Sequence, residues 1–322
     1  MCHYKHLSVE DREKIRVFHE QGLSIAETAR RLGRNKSTIS RELKRNSNTK
    51  NEYSAHKAQK KYKKRKKACG AKRKLENRDA RQYVEEKLQN FWSPEQIIGR
   101  AKLEKQSFSL SCNTIYRAID NGLLPKTLKK NLRIKKKNKR CKKDVDNRGK
   151  IPNTVNISQR SKSIENRFNF GHWESDTIRG QRQTGCIGTH VERKSGYLIA
   201  FSLSDRQNGA FNKATVDAFK YVSVKLKKSF TVDNGKEFSQ HEFLSFETGM
   251  SVYFCDPNSP WQRGTNENTN GLLRQFFPKK TSFRDVSEER LAHAVGLLNN
   301  RPRKRLKFRT PCEILRKASL LT

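Results

Sequence analysis

The sequence predicts a multidomain chain: all-α helix-turn-helix units at the N-terminal end, then an α/β domain. Three observations predict it. Apolar residues recur at helical spacing as far as residue 120 and switch to short strand-like runs from about 170. The second half orders its runs as βββαβαβα, the antiparallel-then-parallel logic of an α/β sandwich. The charge is also uneven: of a formal +39 on 322 residues, residues 1–150 carry +27 and residues 151–322 carry +12.

Charge of that size calls for an anionic partner, since self-repulsion otherwise works against the compact state. No run approaches the 18 apolar residues of a membrane span, and the opening MCHYKHLSVEDREK has no apolar signal core. The seven cysteines are scattered, odd in number and without a C-x-x-C pair. These features predict a cytoplasmic protein with reduced thiols and no membrane association.

Residues 1–48 read as a helix-turn-helix domain. Ser8 and Asp11 make a capping box, and Gly22 stops the first helix. Ser24 opens a second helix carrying Ile25, Ala29 and Leu32, and Gly33 turns into a third from about Lys36 to Arg45. There Ile39 and Leu43 face inward, turning Ser37, Arg41 and Lys44 outward. Polar and basic side chains on such a face suit major-groove reading; a plain three-helix bundle is the alternative.

Residues 49–74 and 129–160 contain the basic runs KKYKKRKKACGAKRK and KKNLRIKKKNKRCKK. They read as linkers lying on phosphates, or as solvated helix surface. Between them, residues 75–128 repeat the helix-turn-helix idea. Ser93-Pro94-Glu95-Gln96 is an N-terminal signature, with Ile97, Ile98, Ala101 and Leu103 as the buried set. Ser111 opens a helix with Ile115 and Ile119 inward and Asn113 and Arg117 outward. That unit reads DNA or mediates dimer contacts.

Residues 161–322 form the α/β domain. HWESDTI (172–178), TGCIGTHVE (184–192) and GYLIAFSLS (196–204) predict a three-stranded meander. A helix at 208–226, a strand at 229–233, a helix at 237–248, a strand at 251–254 and a helix from about Thr265 follow. Asp176 lies in the first strand, on the face of Glu174 and His172. Asp233 ends the fourth strand, where a parallel sheet builds its sites. Glu267, Asn270, Gly271 and Arg274 share one face of the last helix.

Three carboxylates on convergent elements of a basic protein, with no His/Cys cluster, fit two hard divalent ions, Mg2+ or Mn2+. Such a pair, roughly 3.5–4 Å apart, serves in-line displacement at phosphorus and needs no protein nucleophile. Trp261 either stacks on a base or pins its loop to the core. Cys2, His3 and His6 lack the further ligands of a zinc site.

HWESDTI, TVDNGKEF and PWQRGTNENTNGLLRQFFPK resemble the three signature blocks of the insertion-sequence-thirty family of bacterial DDE transposases. The N-terminal LSVEDREKI…ISREL block and the closing NNRPRKRLKFRTPCEIL are similar to the same family, so the likeness spans nearly the whole chain. Between Asp233 and Glu267 lie 33 residues, which suits that group. The resemblance implies a ribonuclease-H-like (integrase core) fold, catalytic and metal-binding carboxylates at Asp176, Asp233 and Glu267, and a phosphate-positioning base at Arg274. It further implies recognition of terminal inverted repeats, cleavage by water, and attack of the freed 3′-hydroxyl on target DNA. Joining two ends implies a homo-oligomer, at least a dimer on DNA. A nuclease without strand transfer, or a regulator with an inert core, is the rival expectation.

Overall fold

The computed structural model describes residues 6–48, 52–69, 74–133, 151–181, 184–203, 208–257, 259–284 and 286–320. The chain divides into two compact units, Met1–Arg73 and Lys74–Thr322.

In the first unit, α1 (Val9–Glu20), α2 (Ile25–Arg31) and α3 (Lys36–Asn46) are each started by a side-chain cap, from Ser8, Ser24 and Asn35. Ser8 and Asp11 close a reciprocal capping box, satisfying two amides that the first turn leaves unpaired. Ile15, Ala29 and Ile39 are buried and Leu43 packs on them. An ion pair lies inside this unit. Arg12 Nε donates to Glu42 Oε1 at 2.7 Å, and the Tyr53 hydroxyl donates to the same oxygen at 3.0 Å. Arg12 also reaches Leu7 O and Gln59 Oε1, so its charge is well solvated by protein.

The segment 49–74, expected as a basic linker or as solvated helix surface, contains a helix, α4 (Ala55–Ala68), capped by Ser54 and packed on one side. Tyr53, Ala55 and Ala58 give it an apolar strip narrow enough to close on Ile15 and Ile39. The lysines occupy the rest of its circumference, which hides the strip in a reading of composition. Residues 49–51 and 70–73 lie outside the described residues.

The second unit begins with α5 (Arg78–Gln89), α6 (Pro94–Leu103) and α7 (Cys112–Asp120), around a core of Leu75, Val84, Leu88, Ile97, Ile115 and Ile119. Leu103, expected in that core, is 41% exposed because α6 ends there. Of the second expected linker, Lys129–Asn131 complete a 3-10 turn (Lys126–Asn131) and residues 134–150 lie outside the described residues. Val155–Asn156 form an edge strand, β1, which the sequence reading missed; two residues show no period. The short helix α8 (Lys162–Glu165) follows.

Next come the antiparallel strands β2 (His172–Arg179), β3 (Cys186–Glu192) and β4 (Leu198–Leu203). Helix α9 (Asn208–Lys220), strand β5 (Ser229–Val232), helix α10 (His241–Thr248) and strand β6 (Ser251–Phe254) continue the fold. The sheet order is β1-β6-β5-β2-β3-β4, with β5 parallel to β2 and β6 parallel to β5 and β1. Three further helices close it: α11 (Gly264–Leu273), α12 (Glu288–Asn299) and α13 (Pro311–Lys317).

Strand alternation divides the core between the two faces. Trp173, Phe211, Phe219, Phe230 and Leu244 pack on the α9/α10 side. Ile178, Ile187, Leu272, Leu273 and Leu298 pack on the α11/α12 side. The helical segment that opens this unit docks on the end of the chain. Arg100 forks onto Glu313 at 2.6 and 2.7 Å, and Lys304 pairs with Glu95 at 2.6 Å. Gly99 lies under the Phe308 ring, where an added Cβ would come within 2.3 Å.

Candidate active site

Register builds the site. The β2–β5 pairing sets Glu174 opposite Thr231, so two residues further along, Asp176 and Asp233 emerge from neighbouring strands. Helix α11 crosses the same face. Its Asn266 amide donates to Glu174 Oε2 at 2.8 Å, and its side chain donates to Glu174 O at 2.7 Å. One turn on, Asn270 Nδ2 donates to Asp176 Oδ2 at 3.0 Å.

Glu174 is buried and also accepts from Arg193, and His172 bonds Ser229 Oγ at 2.7 Å. Both neighbours of Asp176 therefore hold the scaffold together. Burial pushes the Asp176 carboxyl above the usual range and nearby Asp233 adds to this, while Arg263 opposes both.

Arg263 connects the two aspartates. It precedes α11, in a 3-10 turn (Pro260–Arg263). Its Nη2 donates to Asp233 Oδ2 at 2.9 Å, and its Nη1 lies 3.3 Å from Asp176 Oδ1 and donates to Ser175 O at 3.0 Å. Two carboxylates thus converge on one cation. Glu267 is exposed, three residues before Asn270 and so on the helix face that meets Asp176. Among the described residues, no three His, Cys, Asp or Glu side chains stand close enough to hold one ion. The donor chemistry nonetheless fits a divalent ion: hard carboxylate oxygens converge where a positive charge already sits.

Two neighbours of these carboxylates escaped the sequence reading. Arg263 was one, in a run noted for Trp261. Glu237 is another: it accepts from Thr177 Oγ1 at 2.9 Å, beside Asp176. Its only sequence signal is its place four residues after Asp233. Arg274, expected on phosphates, donates to Arg179 O at 2.8 Å and lies over the Phe283 ring. Trp261 is 72% exposed, so it does not pin its loop to the core.

In the first unit, Ser37, Arg41 and Lys44 are all exposed on α3, with the Ser37 hydroxyl donating to the Asn35 cap. Asn113 and Arg117 are exposed on α7. Cys2 and His3 lie outside the described residues.

A helix-turn-helix domain family matches residues 3–46, and an integrase core domain family matches residues 168–260. Fold and site therefore define a DNA-binding, DNA-recombining enzyme with an integrase core. Transposase InsI for insertion sequence element IS30C of Escherichia coli (strain K12) is 39% identical over 98% of this chain and 85% of its own length. The transposase for insertion sequence element IS1086 of Cupriavidus metallidurans is 36% identical over 97% of this chain and 94% of its own. The chain belongs to the IS30 family of transposases. Among solved structures, the catalytic core domain of BIV integrase is similar, with 20% identity and a TM-score of 0.37 over 46% of this chain and 95% of that one.

Proposed function

We propose that Asp176, Asp233 and Glu267 are the catalytic carboxylates of this transposase and hold two divalent ions, Mg2+ or Mn2+. The observation that supports this best is the convergence of Asp176 and Asp233 on the Arg263 guanidinium, with Glu267 a turn from the Asn270 that touches Asp176. Bound there, the ions would activate the attacking oxygen and neutralise the leaving one.

The chain's own residues set the geometry. Asn270 orients Asp176, Thr177 orients Glu237, and the Glu174–Asn266 bonds hold α11 at a set distance from β2. Water opens a phosphodiester at the transposon end and frees a 3′-hydroxyl, which then attacks a target phosphodiester. Ser37, Arg41 and Lys44 on α3 read bases of the terminal inverted repeats, Asn113 and Arg117 on α7 contact DNA a second time, and Trp261 and Arg274 bind near the reacting strand.

Joining two ends calls for a homo-oligomer, at least a dimer on DNA. Among the described residues no helix is long and apolar enough to cross a membrane. The reading places the protein in the cytoplasm, on the nucleoid when bound to DNA. Purified protein incubated with labelled terminal-repeat duplex, Mg2+ and a target plasmid tests the whole reading. Joined products are expected. Cleavage without joining would make it a nuclease, and binding alone a regulator.

A further inference from the structure

On the side of α11 away from the carboxylates lies a small cavity of about 130 Å³. Its walls include Arg167, Arg303, Arg305, Thr265, Asn268 and Thr269. Three guanidiniums around one cavity are unusual because like charges repel, and each normally finds a carboxylate. Here Arg167 donates to Thr265 Oγ1 at 3.0 Å, Arg303 to Leu298 O at 3.2 Å and Arg305 to Lys194 O at 2.8 Å. All three acceptors are uncharged. Among the described residues, none of the three arginines has a carboxylate within ion-pair distance.

The nearby acids are engaged elsewhere: Glu192 with Ser195 and the Gly171 amide, Glu174 with Arg193 and Asn266. Burial, with Arg301, Arg305 and Arg133 alongside, pulls the Arg303 guanidinium down to about 9. Among the described residues, no carboxylate sits against these guanidiniums to offset the cost of keeping the charge together.

Of the three arginines, Arg303 is buried, Arg167 is half-buried and Arg305 is exposed. Gly196, at φ +75°, lets Arg305 lie across it, since a Cβ there would come within 2.5 Å of Arg305 Nη2. The volume equals about four waters at roughly 30 Å³ each, enough for one tetrahedral anion. Guanidinium forks with hydroxyl and amide donors beside them match phosphate oxygens. The first-turn amide of Asn266 is already taken by Glu174, so the attraction comes from the arginines.

We propose that this pocket binds a phosphodiester of the DNA backbone, across α11 from the carboxylates. The inference rests on the reading that this domain takes DNA in its carboxylate site.

The test uses the full-length protein and a fluorescein-labelled duplex cut from the DNA flanking the coding sequence, followed by anisotropy across a salt series. Arg305→Gln should weaken binding about tenfold and lower the slope of log K against log[salt] by about 0.9, the share of one phosphate contact. Arg305→Lys should restore most of the slope. Arg167→Gln should repeat the effect, and the exposed Lys225→Gln should not. A single methylphosphonate, walked along the strand, should weaken the wild type at one position and leave Arg305→Gln unaffected there. An unchanged slope in Arg305→Gln, or additive losses at every position, overturns the proposal. So does stabilisation of the wild type by inorganic phosphate alone with no such position, which would assign the pocket to a free anion. Asp233→Asn run alongside separates the two readings. Loss of strand transfer with the methylphosphonate response intact supports both, and retained strand transfer counts against the carboxylates alone.

Discussion

Arg263 Nη2 lies 2.9 Å from Asp233 Oδ2, and the same guanidinium reaches Asp176. A cation supplied by the chain therefore holds the place between two carboxylates proposed as metal ligands. It keeps them from repelling each other before an ion arrives, and it competes with that ion. Removing it should favour metal. Arg263→Gln is expected to bind Mn2+ about five- to tenfold more tightly without DNA, read by calorimetry, as loss of an ion pair worth about 1 kcal/mol implies. Equal affinities would show that the arginine does not compete.

Asp233→Asn keeps the shape of the side chain and removes its charge. Strand transfer should fall by more than about a hundredfold, since changes one shell further from a metal already cost 10–100-fold. Binding to terminal-repeat duplex should stay within a factor of two, measured by anisotropy. Retained transfer would remove Asp233 from the catalytic set.

Arg41 is exposed on α3, the helix proposed to read bases. Arg41→Ala should cost about 1–3 kcal/mol on the terminal repeat and far less on random duplex. A uniform loss on both would make Arg41 a phosphate contact instead of a base reader.

Gly99 lies against the Phe308 ring. Gly99→Ala should strain that seam by about 1–3 kcal/mol. Faster hydrogen exchange in α6 and α13, with α1–α4 unchanged, is the expected signature. No change in α13 would mean that the seam can relax around a methyl group.

Buried histidines give acid sensitivity, and burial lowers His241 as well. Burial holds His190 down to about 3 and His172 to about 4, against an ordinary value of 6.5. Between those values the unfolded chain binds more protons than the folded one, so stability falls as pH drops below about 6.5. Each histidine contributes a slope of about 1.4 kcal/mol per pH unit at most. Urea midpoints should therefore decline from pH 7 to pH 5, and His172→Gln should flatten the decline. An unchanged slope in that variant would mean that His172 does not carry its share.

Much of this was legible from residues alone. Caps at Ser8, Ser24 and Ser93 announce their helices because an N-terminal amide needs a partner within three residues, and that partner is local in sequence. The meander from 172 to 203 shows in its alternation and turns for the same local reason. The burial of helix α4 did not show, because it rests on Tyr53 and two alanines among lysines. The edge strand at Val155–Asn156 pairs with residues nearly a hundred positions away, and nothing in two residues signals that.

The sequence by itself determined the class of protein: the signal-bearing blocks, the three acidic positions and the uneven charge all lie along one dimension. Tertiary structure decided what those charges face. Arg263 between Asp176 and Asp233, Glu237 beside Thr177, and Arg167, Arg303 and Arg305 around one cavity each depend on strand register and helix placement. Electrostatic energy falls with distance in space, and a chain of +39 has too many arginines for order along the sequence to say which carboxylate, or which cavity, each one meets.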